Sequence, residues 1–366
     1  MSFDLGESYS GFRLSQRESI SELNSLALLF THLETGAEVL VMENDDDNKV
    51  FSATFKTPPS NDRGVAHILE HSVLCGSRKY PVKEPFLELL KGSLQTFLNA
   101  MTFPDKTMYP LASRNKKDFF NLMDVYLDAV FYPNITEETF MQEGWHHELE
   151  LPDKDITYKG VVFNEMKGVF SSPESILDRH LAHSLFPKTT YGFESGGDPE
   201  AITDLTYNEF KKFHSKYYHP SNSRIFFYGD GNTEEYLNFL QDNYLKDFKS
   251  IQVESAVSTQ RRFSKPASVL QLTAKFGDEL SFPFHSSVRQ RQAMEDSVRI
   301  ESIHAFAVDC WCRKCLASGL ANPGRPQQST ARIRKTPRKY RLSLLAYRHQ
   351  PTVTDHDTCV AVAQTT

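Results

Sequence analysis

The stretch ALLFTHLETGAEVLVMEN, residues 27–44, alternates apolar and polar side chains around a Thr-Gly turn, and VFSATFKT at 50–57 continues in β-branched and aromatic residues. At Gly64 the period changes. Val65, Ile68, Leu69 and Val73 recur at helical spacing, and helical sequence continues to Lys91. Strands that alternate are half-buried, so they belong to an antiparallel sheet with helices laid against it. The remainder follows that grammar. Leu94–Leu111 is extended and broken by Pro104 and Pro110, Lys116–Phe131 is an amphipathic helix ended by Pro133, and a second helical block spans about 160–186. A third block opens with Asp198 as N-cap before Pro199, followed by the capping box Thr206-x-x-Glu209. That helix stops ahead of His219-Pro220, and RIFFYGD reads as a buried strand. The fold class expected is α+β, an antiparallel sheet packed against helices.

After about Phe276 neither period persists, which divides the chain into a globular 1–275 and a poorly ordered or aberrant tail at 276–366. From Ser286 onward there are 13 Lys+Arg against 6 Asp+Glu, whereas residues 1–285 hold 28 against 41. An acidic body suits basic peptide substrates and disfavours nucleic acid. The basic run 325–341 and the Cys310-x-Cys312-x-x-Cys315 cluster belong to the tail, and the cluster lacks a fourth ligand at zinc-knuckle spacing. Five cysteines in 366 residues do not form a disulfide framework, so a reducing compartment is expected. No apolar run approaches the roughly 18 residues of a membrane span. The N-terminus carries Asp4, Glu7 and Glu18 without an apolar stretch, which reads as neither secretory signal nor transit peptide.

The chemistry concentrates in HILEH at 67–71. Helical residues four apart share a face, so His67 and His71 can address one metal ion, and Glu70 stands one turn from His67. This is the inverted order of HExxH, in which a glutamate takes the proton of a zinc-activated water. A catalytic zinc needs a third protein ligand. Glu165 in YKGVVFNEMKGVF is the first candidate, because a carboxylate in so apolar a segment needs a partner. Glu174 follows a Ser-Ser-Pro break and reads more readily as part of a helix cap. His146-His147-Glu148 holds adjacent histidines, which cannot share a helix face, and reads as a solvated turn.

Beyond these residues, GVAHILEHSVLCGSRKYPVKEPFLELLKGSLQTFLNAMTFPDKTMYP, EGWHHELE, YKGVVFNEMKGVFS, YGFESGGDPEAITDLT and FHSKYYHPSNSRIFFYGD occur in order. Over about residues 15–275 the chain therefore resembles the pitrilysin family of zinc metallopeptidases, and within it the presequence proteases. The resemblance implies one Zn²⁺ held by His67, His71 and Glu165, with Glu70 as general base. It also implies an edge strand within 94–109 that pairs with substrate main chain, with Asn99 and Ala100 at the backbone-contact positions.

The expected function is hydrolysis of short unstructured peptides, such as cleaved targeting presequences. Members of that family are two to three times longer and close a second half over the substrate. The alternative is therefore a truncated, zinc-binding, non-catalytic fragment or structural subunit, or a chain that needs the second half in trans. The resemblance points to the mitochondrial matrix or a plastid, with the cytoplasm as the alternative given the N-terminus. Neither a nucleic-acid nor a membrane partner is expected.

Overall fold

A computed structural model describes residues 3–83, 85–261, 263, 267–276, 280–288 and 360–362. The chain divides into a compact unit Met1–Ser258 and a second unit Thr259–Thr366. In the first unit the strands are β1 (Ser8–Tyr9), β2 (Phe12–Ile20), β3 (Ser25–His32), β4 (Glu38–Glu43), β5 (Lys49–Lys56), β6 (Gln95–Leu98), β7 (Met101–Thr102), β8 (Lys106–Ser113), β9 (His146–Glu148), β10 (Thr157–Lys159) and β11 (Ser223–Gly229). Among the described residues nine of these build one sheet in the order β1-β2-β3-β4-β11-β5-β8-β6, with β7 also on β8. Every pairing in it is antiparallel except β11 with β4, which is parallel. The expected hairpin is β3–β4, with Phe30 opposite Val39 and Leu28 opposite Val41.

The two-residue period places one row of side chains from each strand on a common face. Phe12 and Leu14, Leu28 and Phe30, Val39 and Val41, Phe51, Ala53 and Phe55, Tyr109 and Leu111, and Ile225 and Phe227 all enter one apolar core. Helices supply the other half of that core: α3 (Lys116–Phe131), α8 (Tyr207–Tyr217) and α9 (Thr233–Asn243). Phe55 meets Phe131 of α3 edge-on and stacks on Tyr218, while Phe227 stacks on Tyr236 of α9 at 4.2 Å. The capping residues act as their types dictate. Asn115 accepts from Asp118 N at the start of α3, and Thr206 and Glu209 form the reciprocal box on α8.

The remaining helices are α1 (Val65–Val73), α2 (Pro85–Gly92), α4 (Glu137–Glu143), α5 (Val161–Val169), α6 (Pro173–Leu185) and α7 (Pro199–Ile202). Asp198 caps α7 with Pro199 at its first position, and Ser172 caps α6 before Pro173. Glu174 thus lies in the first turn of α6, where the Ser-Ser-Pro break located a cap. His146–Glu148 corrects the reading of a turn. It is strand β9, paired with β10 through His147–Tyr158, and ring contacts among Trp145, His147 and Tyr158 hold the hairpin together.

In the second unit β12 (Ala267–Phe276) pairs antiparallel with β13 (Leu280–Val288), and β14 (Val360–Val362) pairs parallel with β13. The rest of the expected tail lies outside the described residues, including Cys310, Cys312, Cys315 and 325–341. Among the described residues no helix is long and apolar enough to cross a membrane.

One buried group carries a pH dependence. His214 of α8 donates from Nε2 to the Val130 carbonyl at 3.0 Å and stacks on Tyr218, and burial pushes its pKa down to about 4. Between about pH 6.5 and 4 the unfolded chain binds a proton that the folded chain refuses, so stability falls on acidification by up to about 1.4 kcal/mol per pH unit. Chemical unfolding of the full chain across this window is expected to show a flatter pH dependence for His214→Gln than for the parent.

Candidate metal centre

Two glycines let the helices of the site approach as closely as they do. Gly64 opens α1 in the left-handed region (φ 66°), and a Cβ there would sit 2.8 Å from both the Gly196 carbonyl oxygen and Gly197 Cα. The 196–197 loop therefore lies against the start of α1. Gly160 opens α5 with φ 151°, and a Cβ there would come within 2.1 Å of the Gly144 oxygen at the end of α4. The chain thus brings α4 and α5 together at a point where only two bare backbones fit.

On α1 the apolar stripe Val65, Ile68, Leu69 and Val73 faces the core, which turns His67 and His71 toward α5. His67 Nε2 lies 3.6 Å and His71 Nε2 3.7 Å from Glu165 Oε2, and the two imidazole rings stand 5.0 Å apart. One ligand atom from each of the three residues fits within a 4.8 Å span, the only such His/Cys/Asp/Glu group among the described residues. Glu165 is not the enclosed carboxylate that its apolar segment implies. Its side chain is 50% exposed, while Val162, Phe163 and Met166 carry the apolar face of α5 inward.

The far nitrogens of both histidines are also engaged. His67 Nδ1 donates to the Gly196 carbonyl at 3.0 Å, because a carbonyl can only accept, and in the neutral ring that tautomer carries its lone pair on Nε2, the nitrogen facing Glu165. His71 Nδ1 faces Glu143 Oε2 at 3.4 Å, and that carboxylate is nearly buried. Burial pushes His71 down, but Glu143 and the charges of Glu70 and Glu165 outweigh it and raise the pKa. Burial pushes Glu143 up, and its bonds to His71 and Gln142 outweigh that and lower it. Neither Gly196 nor Glu143 was singled out as a site residue from the sequence, although the ordered segments EGWHHELE and YGFESGGDPEAITDLT contain them.

Glu70 is buried on the same helix. After burial itself, its charge helps to raise the pKa of the enclosed Tyr126, and it is a lesser cause than burial at Tyr109 and Tyr218 as well. Asn99 and Ala100 join β6 to β7 at the sheet edge, where among the described residues β6 pairs only with β8. Asn99 N donates to Pro110 O at 3.2 Å, Tyr126 OH donates to the Asn99 carbonyl at 3.1 Å, and Ala100 N donates to Asn99 Oδ1 at 3.0 Å. The Asn99 amide is thus turned into the sheet. His146 and His147 stay on the β9–β10 hairpin and join no such group among the described residues.

The donor set suits zinc. Ligands held tetrahedrally at about 2.0–2.1 Å are about 3.4 Å apart, close to the two His–Glu separations, and the three groups leave a fourth position open.

Residues 57–169 match the family described as insulinase (peptidase family M16), and residues 204–295 match the peptidase M16 inactive domain. The chain belongs to the M16 peptidase family. Among M16 relatives, presequence protease 1 (chloroplastic/mitochondrial) of Arabidopsis thaliana is 57% identical over 265 residues, which is 71% of this chain and 24% of that protein. The protein HypA of Clostridium perfringens is 56% identical over 265 residues, 72% of this chain and 27% of its own. An uncharacterized protein of Borreliella burgdorferi is 40% identical over 306 residues, 82% of this chain and 31% of its own. The crystal structure of pitrilysin shares the fold with a TM-score of 0.51 at 20% identity, covering 64% of this chain and 24% of that one. The chain spans about a quarter of the length of the curated relatives it matches. The inactive-domain match runs past residue 275, across β13 to residue 295.

Proposed function

We propose that this chain is a zinc endopeptidase domain that hydrolyses short unstructured peptides, with cleaved targeting presequences as the substrate class. The observation that carries the reading is the convergence of His67 Nε2, His71 Nε2 and Glu165 on one point while each histidine's Nδ1 faces a separate acceptor. His67, His71 and Glu165 would hold one zinc ion, which when bound supplies a Lewis acid that acidifies water. Glu70 accepts the water proton as general base and returns it to the leaving amine. The peptide lies along the outer edge of β6 toward Asn99 and Ala100, where main-chain pairing gives low sequence selectivity.

The names of the Arabidopsis and mouse relatives, the latter "Presequence protease, mitochondrial" at 44% identity, support an organellar setting. A second reading, zinc binding without turnover until another polypeptide completes the chamber, is favoured by the quarter-length coverage of those relatives.

The test is zinc stoichiometry and hydrolysis of a basic, unstructured presequence-like peptide by the purified 366-residue chain. One equivalent of zinc with cleavage that a chelator abolishes supports the endopeptidase. Zinc without cleavage selects the second reading, and a chain that takes up no zinc overturns both.

A further inference from the structure

Building on the zinc-site reading above, we infer that Glu143 is a positioning residue for His71, holding its imidazole so that Nε2 points at the metal position. Three observations carry this. His71 stands between two carboxylates supplied by helices that meet end to end, with Glu143 closing α4 beside Nδ1 at 3.4 Å and Glu165 on α5 beside Nε2 at 3.7 Å. Glu143 is 7% exposed, and an ionised carboxylate so enclosed requires partners that favour its charge. Its partners are His71 on one oxygen, and Gln142 Nε2 at 2.8 Å with Cys75 Sγ at 3.6 Å on the other, so its orientation is set from both sides.

The chemistry is directional. A carboxylate accepts and does not donate, so facing Nδ1 it favours the tautomer with the proton there and the lone pair on Nε2. Among the described residues His67 has the Gly196 main-chain carbonyl in the equivalent place. The two ligands are therefore supported differently: one by backbone that no substitution removes, the other by a single side chain. Glu143 touches neither the metal position nor the reacting atoms, and its effect passes through His71.

Glu143→Gln and Glu143→Asp in the full chain separate this role from packing. Zinc affinity is measured by competition with a chromophoric chelator, the cobalt(II)-substituted protein is examined by its visible absorption, and the zinc-free proteins are compared by thermal unfolding. Glu143→Gln nearly conserves volume but presents a donor that can reverse the tautomer. It is expected to weaken zinc binding about 10–100-fold and alter the cobalt spectrum, whereas Glu143→Asp recovers much of the affinity because it restores the carboxylate. Zinc affinity within about twofold of the parent in Glu143→Gln overturns the assignment. So does equal weakening in both variants accompanied by equal loss of zinc-free stability, the signature of packing alone. A parent chain without zinc affinity instead removes the underlying site, a distinct result.

Discussion

Glu70→Gln is expected to retain one equivalent of zinc and to lose peptide hydrolysis by about 10²–10⁴-fold, the usual contribution of a positioned general base. The substitution is nearly isosteric, so α1 keeps its apolar contacts through Val65, Ile68, Leu69 and Val73. What disappears is the carboxylate's ability to accept a proton in a buried place. Glu70 lies outside the group whose ligand atoms converge, so metal content should be untouched. His71→Ala makes the contrast, since it is expected to lose the zinc itself. Zinc analysis and initial rates on the same preparations check both. A Glu70→Gln protein that cleaves peptide at a rate within about twofold of the parent would falsify the general-base role.

Much of the scaffold around this site is legible from local chemistry. The helix Lys116–Phe131, the Asp198-Pro199 start and the Thr206–Glu209 box each depend on residues within a turn of one another, and each appears as the sequence implies. The strand RIFFYGD is equally plain, but its place is not. It enters the sheet between β4 and β5, parallel to the first and antiparallel to the second, a pairing decided by partners about 180 residues away. The site divides along the same line. HILEH puts two histidines on one helix face with a glutamate beside them by helix geometry alone, and Glu165 can be named as a candidate third ligand. Burial, however, is the wrong reason for naming it, because the residue sits on the open face of α5. Glu143 and Gly196 carry no local signal that distinguishes them. They matter only because α4 and the 195–198 loop arrive at opposite ends of α1, and no spacing rule within one segment encodes an encounter between three.

Gly160→Ala is expected to destabilise the chain by about 2 kcal/mol or more and to weaken zinc binding at least about tenfold, from a position that is no ligand. Two costs combine. A left-handed or otherwise positive φ costs a side-chain-bearing residue roughly 1–3 kcal/mol, and Gly160 stands at φ 151°. The added Cβ would also lie 2.1 Å from the Gly144 oxygen and 2.8 Å from Trp145 Cα, both backbone atoms that no rotamer change can move aside. The junction must therefore open. Since Glu143 immediately precedes Gly144 and Glu165 lies on the helix that Gly160 begins, opening separates the two carboxylates that flank His71. Gly168→Ala is the control on the same helix. Nothing lies within 4 Å of its added Cβ, and a helical alanine in place of glycine is worth about 0.5–1 kcal/mol in the stabilising direction. Unfolding curves and chelator-competition titrations on the two variants should move in opposite directions in stability, with zinc affinity reduced only in Gly160→Ala. Equal zinc affinity in both would mean that the α4–α5 contact does not set the metal geometry.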